Sequence, residues 1–255
     1  MEIWEVLFCG GAVDTENFEK EDFCVYDISP KAMENAQSLS IPTVESNALL
    51  CDECDILLLA VKPQNAAEAL ESCRNHLSGK ALVSIVAGLS TERILAMVDE
   101  NVRVLRVMPN TPALVSEGAF VLCSDNTLNE EETVLMEELF VSIGIVEWVS
   151  EKLMDVACGL SGGGPAYAAM FIEALADGAV KQGLPRETAY KLASQTCLGT
   201  AKMILDTKIH PGALKDMVTS PGGTTIEGVE ALEQGGFRYS VMNCIKAATE
   251  KSKSL

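Results

Sequence analysis

Between residues 23 and 150, short runs of β-branched residues and leucine alternate with longer stretches in which apolar positions return at helical spacing. The runs predict strands at 24–28, 55–61, 81–87, 102–108, 119–123 and 145–149, and the intervening stretches predict helices at 30–39, 65–77, 91–98 and 130–143. The run Ile56-Leu57-Leu58-Leu59-Ala60-Val61 has no polar position, so a strand there calls for cover on both faces, the condition of a parallel sheet between helical layers. The pattern is that of a doubly wound α/β sheet. After Lys152 the strands stop. Pro165, Pro185 and Pro211 each stand where a helix would begin, and Gly183 and the pair Gly235-Gly236 where one would end, so residues 1–151 form the α/β domain and 152–255 an all-α domain.

The first long helix of that second domain, from about 165 to 182, carries Ala166, Ala168, Ala169, Ala174, Ala176, Gly178 and Ala179 around much of its circumference. Small residues admit close neighbours on several sides, and a domain of this size has few internal faces to supply them. Part of that surface is therefore expected to meet a second copy, giving a homodimer or higher homo-oligomer through the C-terminal helices.

Charge narrows the partners. A formal charge of −18 repels phosphodiester backbones and anionic lipid, which excludes nucleic acid and a membrane surface as main partners and leaves a small molecule. No apolar run reaches the length of a membrane span, and the first residues show neither the basic region nor the cleavage site of a secretory signal. The nine cysteines lie in apolar surroundings, as reduced buried thiols do, so the expected location is cytoplasmic. Cys51-x-x-Cys54 has no second pair, and neither His76 nor His210 stands at metal-ligand spacing, so no metal is expected.

Candidate chemistry concentrates in Ser220-Pro221-Gly222-Gly223-Thr224-Thr225-Ile226-Glu227, a glycine turn feeding a helix start. Thr224 with Glu227 has the spacing of a capping box, and a helix N-terminus with uncovered glycine amides attracts anions such as a small carboxylate. The same spacing also suits an ordinary capped helical hairpin. Three further turns follow the ends of predicted strands: Ala60-Val61-Lys62-Pro63, Val86-Ala87-Gly88 and Met108-Pro109-Asn110-Thr111-Pro112. In an open parallel sheet, ligands lie at the carboxyl ends of the strands, and these three turns describe one such edge.

The motifs Leu160-Ser161-Gly162-Gly163-Gly164-Pro165-Ala166-Tyr167, Glu173-Ala174-Leu175-Ala176-Asp177-Gly178, Gly183-Leu184-Pro185-Arg186 and His210-Pro211-Gly212-Ala213-Leu214-Lys215-Asp216, leading into Thr219-Ser220-Pro221-Gly222-Gly223-Thr224-Thr225, closely resemble those of pyrroline-5-carboxylate reductase. The resemblance runs from about residue 23 to the end. It implies a Rossmann-like, dinucleotide-binding first domain, reduction of a cyclic imine to proline, and NADPH or NADH as cofactor. It further implies that Ser220, Gly222, Gly223 and Thr224 face the substrate carboxylate and that Thr225 is catalytic, its hydroxyl near the ring nitrogen. The implied cofactor edge comprises Ser29, Pro30, Asn47, Ala60, Val61, Lys62, Pro63, Val86, Ala87 and Gly88, with Met108, Pro109, Asn110, Thr111 and Pro112 near the nicotinamide. Gly163 stands where the family has a second serine, and a change of packing is expected there.

One part of the family pattern is missing. The family opens on a strand and a G-x-G-x-x-[GA] turn, whereas Val6-Leu7-Phe8-Cys9-Gly10-Gly11 leaves no room for a helix before Asp27. The better alignment makes residues 1–11 the first helix, followed by a turn at 14–17, with the first strand and its phosphate loop absent and weak cofactor binding as the consequence. Asp27 ends the second strand, where an acid either pairs with a ribose hydroxyl or caps the next helix. His210, a rival acid, sits in a His-Pro-Gly turn and is expected to be structural. Two other readings remain. A β-hydroxyacid-type dehydrogenase would need a lysine early on the first long helix, where none occurs before Lys181; an oligomeric relative without activity would explain the missing loop.

Overall fold

The computed structural model describes residues 18–255, which divide into two compact units, 18–163 with 246–255 and 164–245. The expected first helix at 1–11, the turn at 14–17 and the absent strand and phosphate loop all lie outside the described residues.

The first unit is built on a five-stranded sheet in the order β1 (Ile56–Leu59), β2 (Ala81–Ser84), β3 (Arg103–Met108), β4 (Gly118–Cys123) and β5 (Gly144–Val149). Its helices are α1 (Pro30–Ser38), α2 (Asn47–Glu53), α3 (Ala66–Cys73), α4 (Thr91–Leu95), α5 (Glu130–Val141) and the short α6 (Met154–Ala157). The β1–β2, β2–β3 and β4–β5 pairs are parallel, with Ile56 opposite Ala81 and Ala81 opposite Arg103. The β3–β4 pair is antiparallel, with Val107 opposite Leu122, which corrects the expectation of an all-parallel sheet. Residues 109–117 are too few for the helical crossover that a parallel return needs, and they fold instead as a 3-10 turn.

Alternation along the strands sorts the core into two layers. Leu82 and Val104 pack with Leu57, Leu59, Leu70, Leu77 and Ile94 on one face of the sheet, while Val83, Leu105 and Val107 pack with Phe120, Leu122, Phe140 and Ile143 on the other. Each such fully buried side chain stabilises the fold by roughly 1.5–3 kcal/mol. The rings of Phe120 and Phe140 stack at 4.9 Å between centroids, joining β4 to α5. In α3 the buried Ala66, Leu70 and Cys73 recur at one-turn spacing, which is why that segment is a helix against the sheet.

Three expectations are corrected. Residues 24–28 form no strand; Val25 makes a single parallel bridge to Thr43, because among the described residues no strand lies alongside it to continue a ladder. β1 is covered on only one side, with Leu57 and Leu59 buried and Leu58 37% exposed, since among the described residues its outer edge has no neighbour. The helix α2 was not anticipated; it starts at Ser46, whose hydroxyl accepts the Leu49 amide hydrogen and supplies a cap to an otherwise short helix.

Residues 152–163 stay with the first unit because Met154, fully buried, fills a cluster with Met108 and Cys123. The second unit is all helical: α7 (Gly164–Lys181), α8 (Arg186–Thr207), α9 (Pro211–Met217), α10 (Thr224–Gln234) and α11 (Phe237–Ser252), the last continuing into the first unit from Lys246. Ala176 of α7 packs on Ala189 and Ala193 of α8, small against small, so the two helices approach closely. Met170, Leu192, Leu198, Tyr239 and Met242 of the second unit are exposed on the single chain.

Among the described residues no helix is long and apolar enough to cross a membrane, no His, Cys, Asp and Glu group gathers as a metal site, and the cysteines are free thiols.

The Arg103 guanidinium grips both carboxylate oxygens of Glu132 through Nε at 3.0 and 2.8 Å, and Glu132 also closes a capping box with Asn129 at the start of α5. The Arg103 hydrogen bond holds the Glu132 carboxyl below the usual carboxylate range, with burial opposing it. A lowered folded-state pKa stabilises above the ordinary glutamate value and is lost as pH falls through the lowered one. Urea midpoints are expected to drop on acidification below about pH 4.3, the ordinary glutamate value, and Glu132→Gln is expected to lessen that drop; an identical acid profile in the variant would refute the assignment.

Candidate functional site

Because β1, β2 and β3 are parallel neighbours, the turns that follow them emerge along one carboxyl edge of the sheet. Residues 60–63 lie after β1, residues 86–88 after β2 and residues 109–112 after β3, so the structure brings together the three turns singled out in the sequence. Lys62 and Pro63 are exposed; Ala60, Val61, Ala87 and Gly88 are partly covered; Val86 is buried and belongs to the core.

Gly88 has φ +72°, a conformation open to glycine, and its carbonyl accepts a 3.0 Å hydrogen bond from Arg93. Met108 is buried against Met154, and Pro109 is buried beside it. Asn110 is nearly enclosed. Its side-chain amide donates to the Ser161 carbonyl at 3.2 Å and its oxygen accepts from the Ala119 amide at 2.8 Å. Both ends of Asn110 thus engage the protein, which makes it a clamp on the turn. Thr111 and Pro112 begin the 3-10 turn and are partly exposed.

Ser29 caps α1 by position without a side-chain bond, and Pro30 takes the first helical place, where its missing N–H costs nothing. The Ser29 amide donates to the Asp27 carboxylate, so Asp27 serves the start of α1 and retains its second oxygen. Asn47 opens α2, but its side-chain amide donates to the Ser72 hydroxyl at 2.7 Å, leaving the carbonyl oxygen.

Behind the edge lies a buried ion network. Arg106 of β3, only 2% exposed, donates to Glu151 at 2.6 Å and to Asp155 at 3.3 Å, while its Nε has no partner. Burial opposes ionisation of Glu151, but hydrogen bonds from Thr91, Cys123 and Arg106 outweigh it and hold the carboxyl below its usual range. Burial, followed by the Glu151 contact, pushes the Cys123 thiol up to about 11, so it stays protonated.

In the second unit the glycine turn is formed as a tight bend. Gly222 has φ +67°, and the Gly223 amide closes the bend onto the Ser220 carbonyl at 3.0 Å. That contact corrects two expectations. The Gly223 N–H is consumed within the turn, and Gly223, with extended backbone, occupies the N-cap of α10, so Thr224 stands one place inside the helix and forms no capping box with Glu227. Thr224 and Thr225 are the first two helical residues, whose amides a helix leaves without an acceptor of its own. Among the described residues the Thr225 side chain has no hydrogen-bond partner, and the turn is largely exposed. His210 caps α9, its Nδ1 accepting the Gly212 amide hydrogen at 3.1 Å, a structural duty.

Sequence reasoning missed Gln64, Leu89, Arg93 and Leu255, which with Pro63 and Gly88 line a cavity of about 280 Å³ at this edge. Arg93 was detectable only as a charge at the start of a predicted helix, and nothing local tied Leu255 to residues so far back in the chain.

Residues 151–255 match the family model described as pyrroline-5-carboxylate reductase dimerisation, and residues 11–88 match that described as NADP oxidoreductase, coenzyme F420-dependent. The chain is 44% identical to pyrroline-5-carboxylate reductase of Methanosarcina acetivorans over 96% of its own length and 90% of the relative's, and 39% identical to that of Escherichia coli over 96% and 92%. It belongs to the pyrroline-5-carboxylate reductase family. The crystal structure of Plasmodium falciparum pyrroline carboxylate reductase with NADP bound superposes with a TM-score of 0.91 at 38% identity, covering 99% of this chain and 94% of that one. As a pyrroline-5-carboxylate reductase relative, the chain is an oxidoreductase with a Rossmann-like cofactor domain and a helical dimerisation domain that makes it a homo-oligomer, and neither the β-hydroxyacid dehydrogenase reading nor the inactive one is favoured.

Asn110→Ala leaves the Ala119 amide without its acceptor and the Ser161 carbonyl without its donor. The expected loss is about 2 kcal/mol of unfolding free energy, from urea denaturation; a stability unchanged within error would show that the clamp carries no weight.

Proposed function

We propose that this chain reduces 1-pyrroline-5-carboxylate to L-proline with NADPH or NADH, the last step of proline biosynthesis, as a dimer or larger assembly joined through its C-terminal helices, with a small-molecule substrate and a cytoplasmic location. The observation that carries the reading is the Ser220–Thr225 bend, which closes on itself through Gly223 and delivers Thr224 and Thr225 at the open start of α10.

The cofactor edge fits the ribose and nicotinamide portion of such a cofactor by its chemistry: the Ser29 hydroxyl and the exposed Lys62 can donate, the remaining Asn47 carbonyl oxygen can accept, and the turns at Ala60, Val61 and Ala87 are apolar. When bound, the reduced nicotinamide supplies hydride. Met108, Pro109, Thr111 and Pro112 shape the turn near it, and Asn110 holds that turn in place.

The substrate carboxylate is held by amides of Gly222, Thr224 and Thr225 together with the Ser220 hydroxyl, at the end of a helix whose dipole favours an anion. Its imine is far more electrophilic when protonated, so the residues present need not include a strong acid. They must fix the ring and offer the nitrogen a polar partner as its charge disappears. Thr225, with its hydroxyl uncommitted, has that role, and solvent supplies the proton that ends on the ring nitrogen.

Oxidation of NADPH or NADH dependent on pyrroline-5-carboxylate, with proline as product, tests the reading directly, and a purified oligomer without turnover would overturn it. Thr225→Ala is expected to lower kcat by about 10-fold or more, the lower end for a positioned acid–base group. Unchanged kinetics in that variant would remove Thr225 from the reaction.

A further inference from the structure

Residues 252–255 return to the first unit and lie on the turn after β2. A Cβ placed on Gly88 would stand 2.4 Å from the Leu255 Cβ and 3.1 Å from the Ser252 carbonyl oxygen, so the segment is pressed flat against the one residue that has no side chain to hold it off. From another direction Arg93 binds the Gly88 carbonyl. Gly88 is thus fixed by a side chain from α4 and by a segment more than 160 residues further along the chain.

The anchoring is polar and buried. Ser252 is 3% exposed, and its hydroxyl donates at 2.8 Å to Asp155 Oδ1, the same oxygen that takes Arg106 Nη2. Arg106 lies on β3 two residues before Met108. Residues 252–255 therefore touch the turn after β2, share with Pro63 the wall of the 280 Å³ cavity, and connect through Asp155 to the strand that ends in the third turn.

We propose that Ser252 and Leu255 form a positioning strap that holds the Gly88 turn in the shape required by the nicotinamide cofactor, and so set cofactor affinity without touching the substrate. The inference rests on the reductase reading. Ser252 is the buried anchor and Leu255 the apolar pad; neither is a catalytic residue. Losing the pad frees the turn to sample conformations that cannot bind, and apparent affinity falls by the fraction of molecules in those conformations.

The test uses the full chain with Leu255→Ala, Ser252→Ala and the conservative Leu255→Met. NADPH affinity is measured by fluorescence titration, cofactor KM and kcat by turnover, and backbone mobility by hydrogen exchange of peptides covering residues 85–90. Leu255→Ala is expected to weaken NADPH binding and raise its KM by about 5-fold, roughly 1 kcal/mol, with kcat and substrate KM much less affected and with faster exchange at 85–90. Leu255→Met is expected to restore affinity, a rescue that separates the strap from general destabilisation. Wild-type affinity in Leu255→Ala, or exchange at 85–90 that does not change, overturns the strap while leaving the reductase reading intact. A wild-type protein that binds neither NADPH nor NADH overturns both.

Discussion

The parallel alignment of β1, β2 and β3, with β2 and β3 sending alternate side chains into two separate cores, is the constraint on which the rest of this structure depends. Val104 and Leu105 are neighbours in sequence, both fully buried and pointing into opposite layers, so a one-residue slip of β3 would send the side chains of each core into the other and break the packing of both. With the register held, the three turns at the strand ends have no freedom to separate. The cofactor edge is a by-product of core packing before it is a binding site.

A second layer of constraint is electrostatic. Arg106 sits inside that packed sheet with a full charge, tolerable because Glu151 and Asp155 surround it and are themselves bonded to Thr91, Cys123 and Ser252. Removing one member of such a set strands the others in low dielectric, which is more costly than never having buried them. The network also ties together parts of the chain that share no local pattern: α4, β3, β4, the segment before α7 and the end of α11.

The glycine bend of the second unit is made by backbone geometry alone. Gly222 supplies the left-handed angle, Gly223 spends its amide to close the bend, and the two threonines are left at the helix start with their polar groups available. A serine or aspartate at the N-cap would have occupied the Thr225 or Ile226 amide. Its absence leaves α10 with a less stable start and an open anion-binding end, a local sacrifice of the kind found where a helix terminus serves a ligand.

Strand and helix positions, the change from α/β to all-α after residue 150, and the bend at 220–225 were legible because each depends on contacts within a few residues: alternation, proline at helix starts, glycine where φ must be positive. The antiparallel β3–β4 return was not, although the shortness of 109–117 contained the clue. The strand expected at 24–28 carried the right residues but, among the described residues, only a single bridge to Thr43, and a strand exists only by its partners. Asn110 was picked out by its motif, yet whether its amide meets a ligand or the protein depends on where Ser161 and Ala119 arrive. Gly88 was legible as a turn, but the contact with Leu255 arises from folding the far end of the chain back. The sequence by itself determined most features governed by local stereochemistry and periodicity, including the family motifs, though not the cap at Ser46 or the place of Thr224 in its helix. Tertiary structure alone decided which polar groups are already satisfied and which distant residues share a surface, because those depend on three-dimensional distances that no short window of residues encodes.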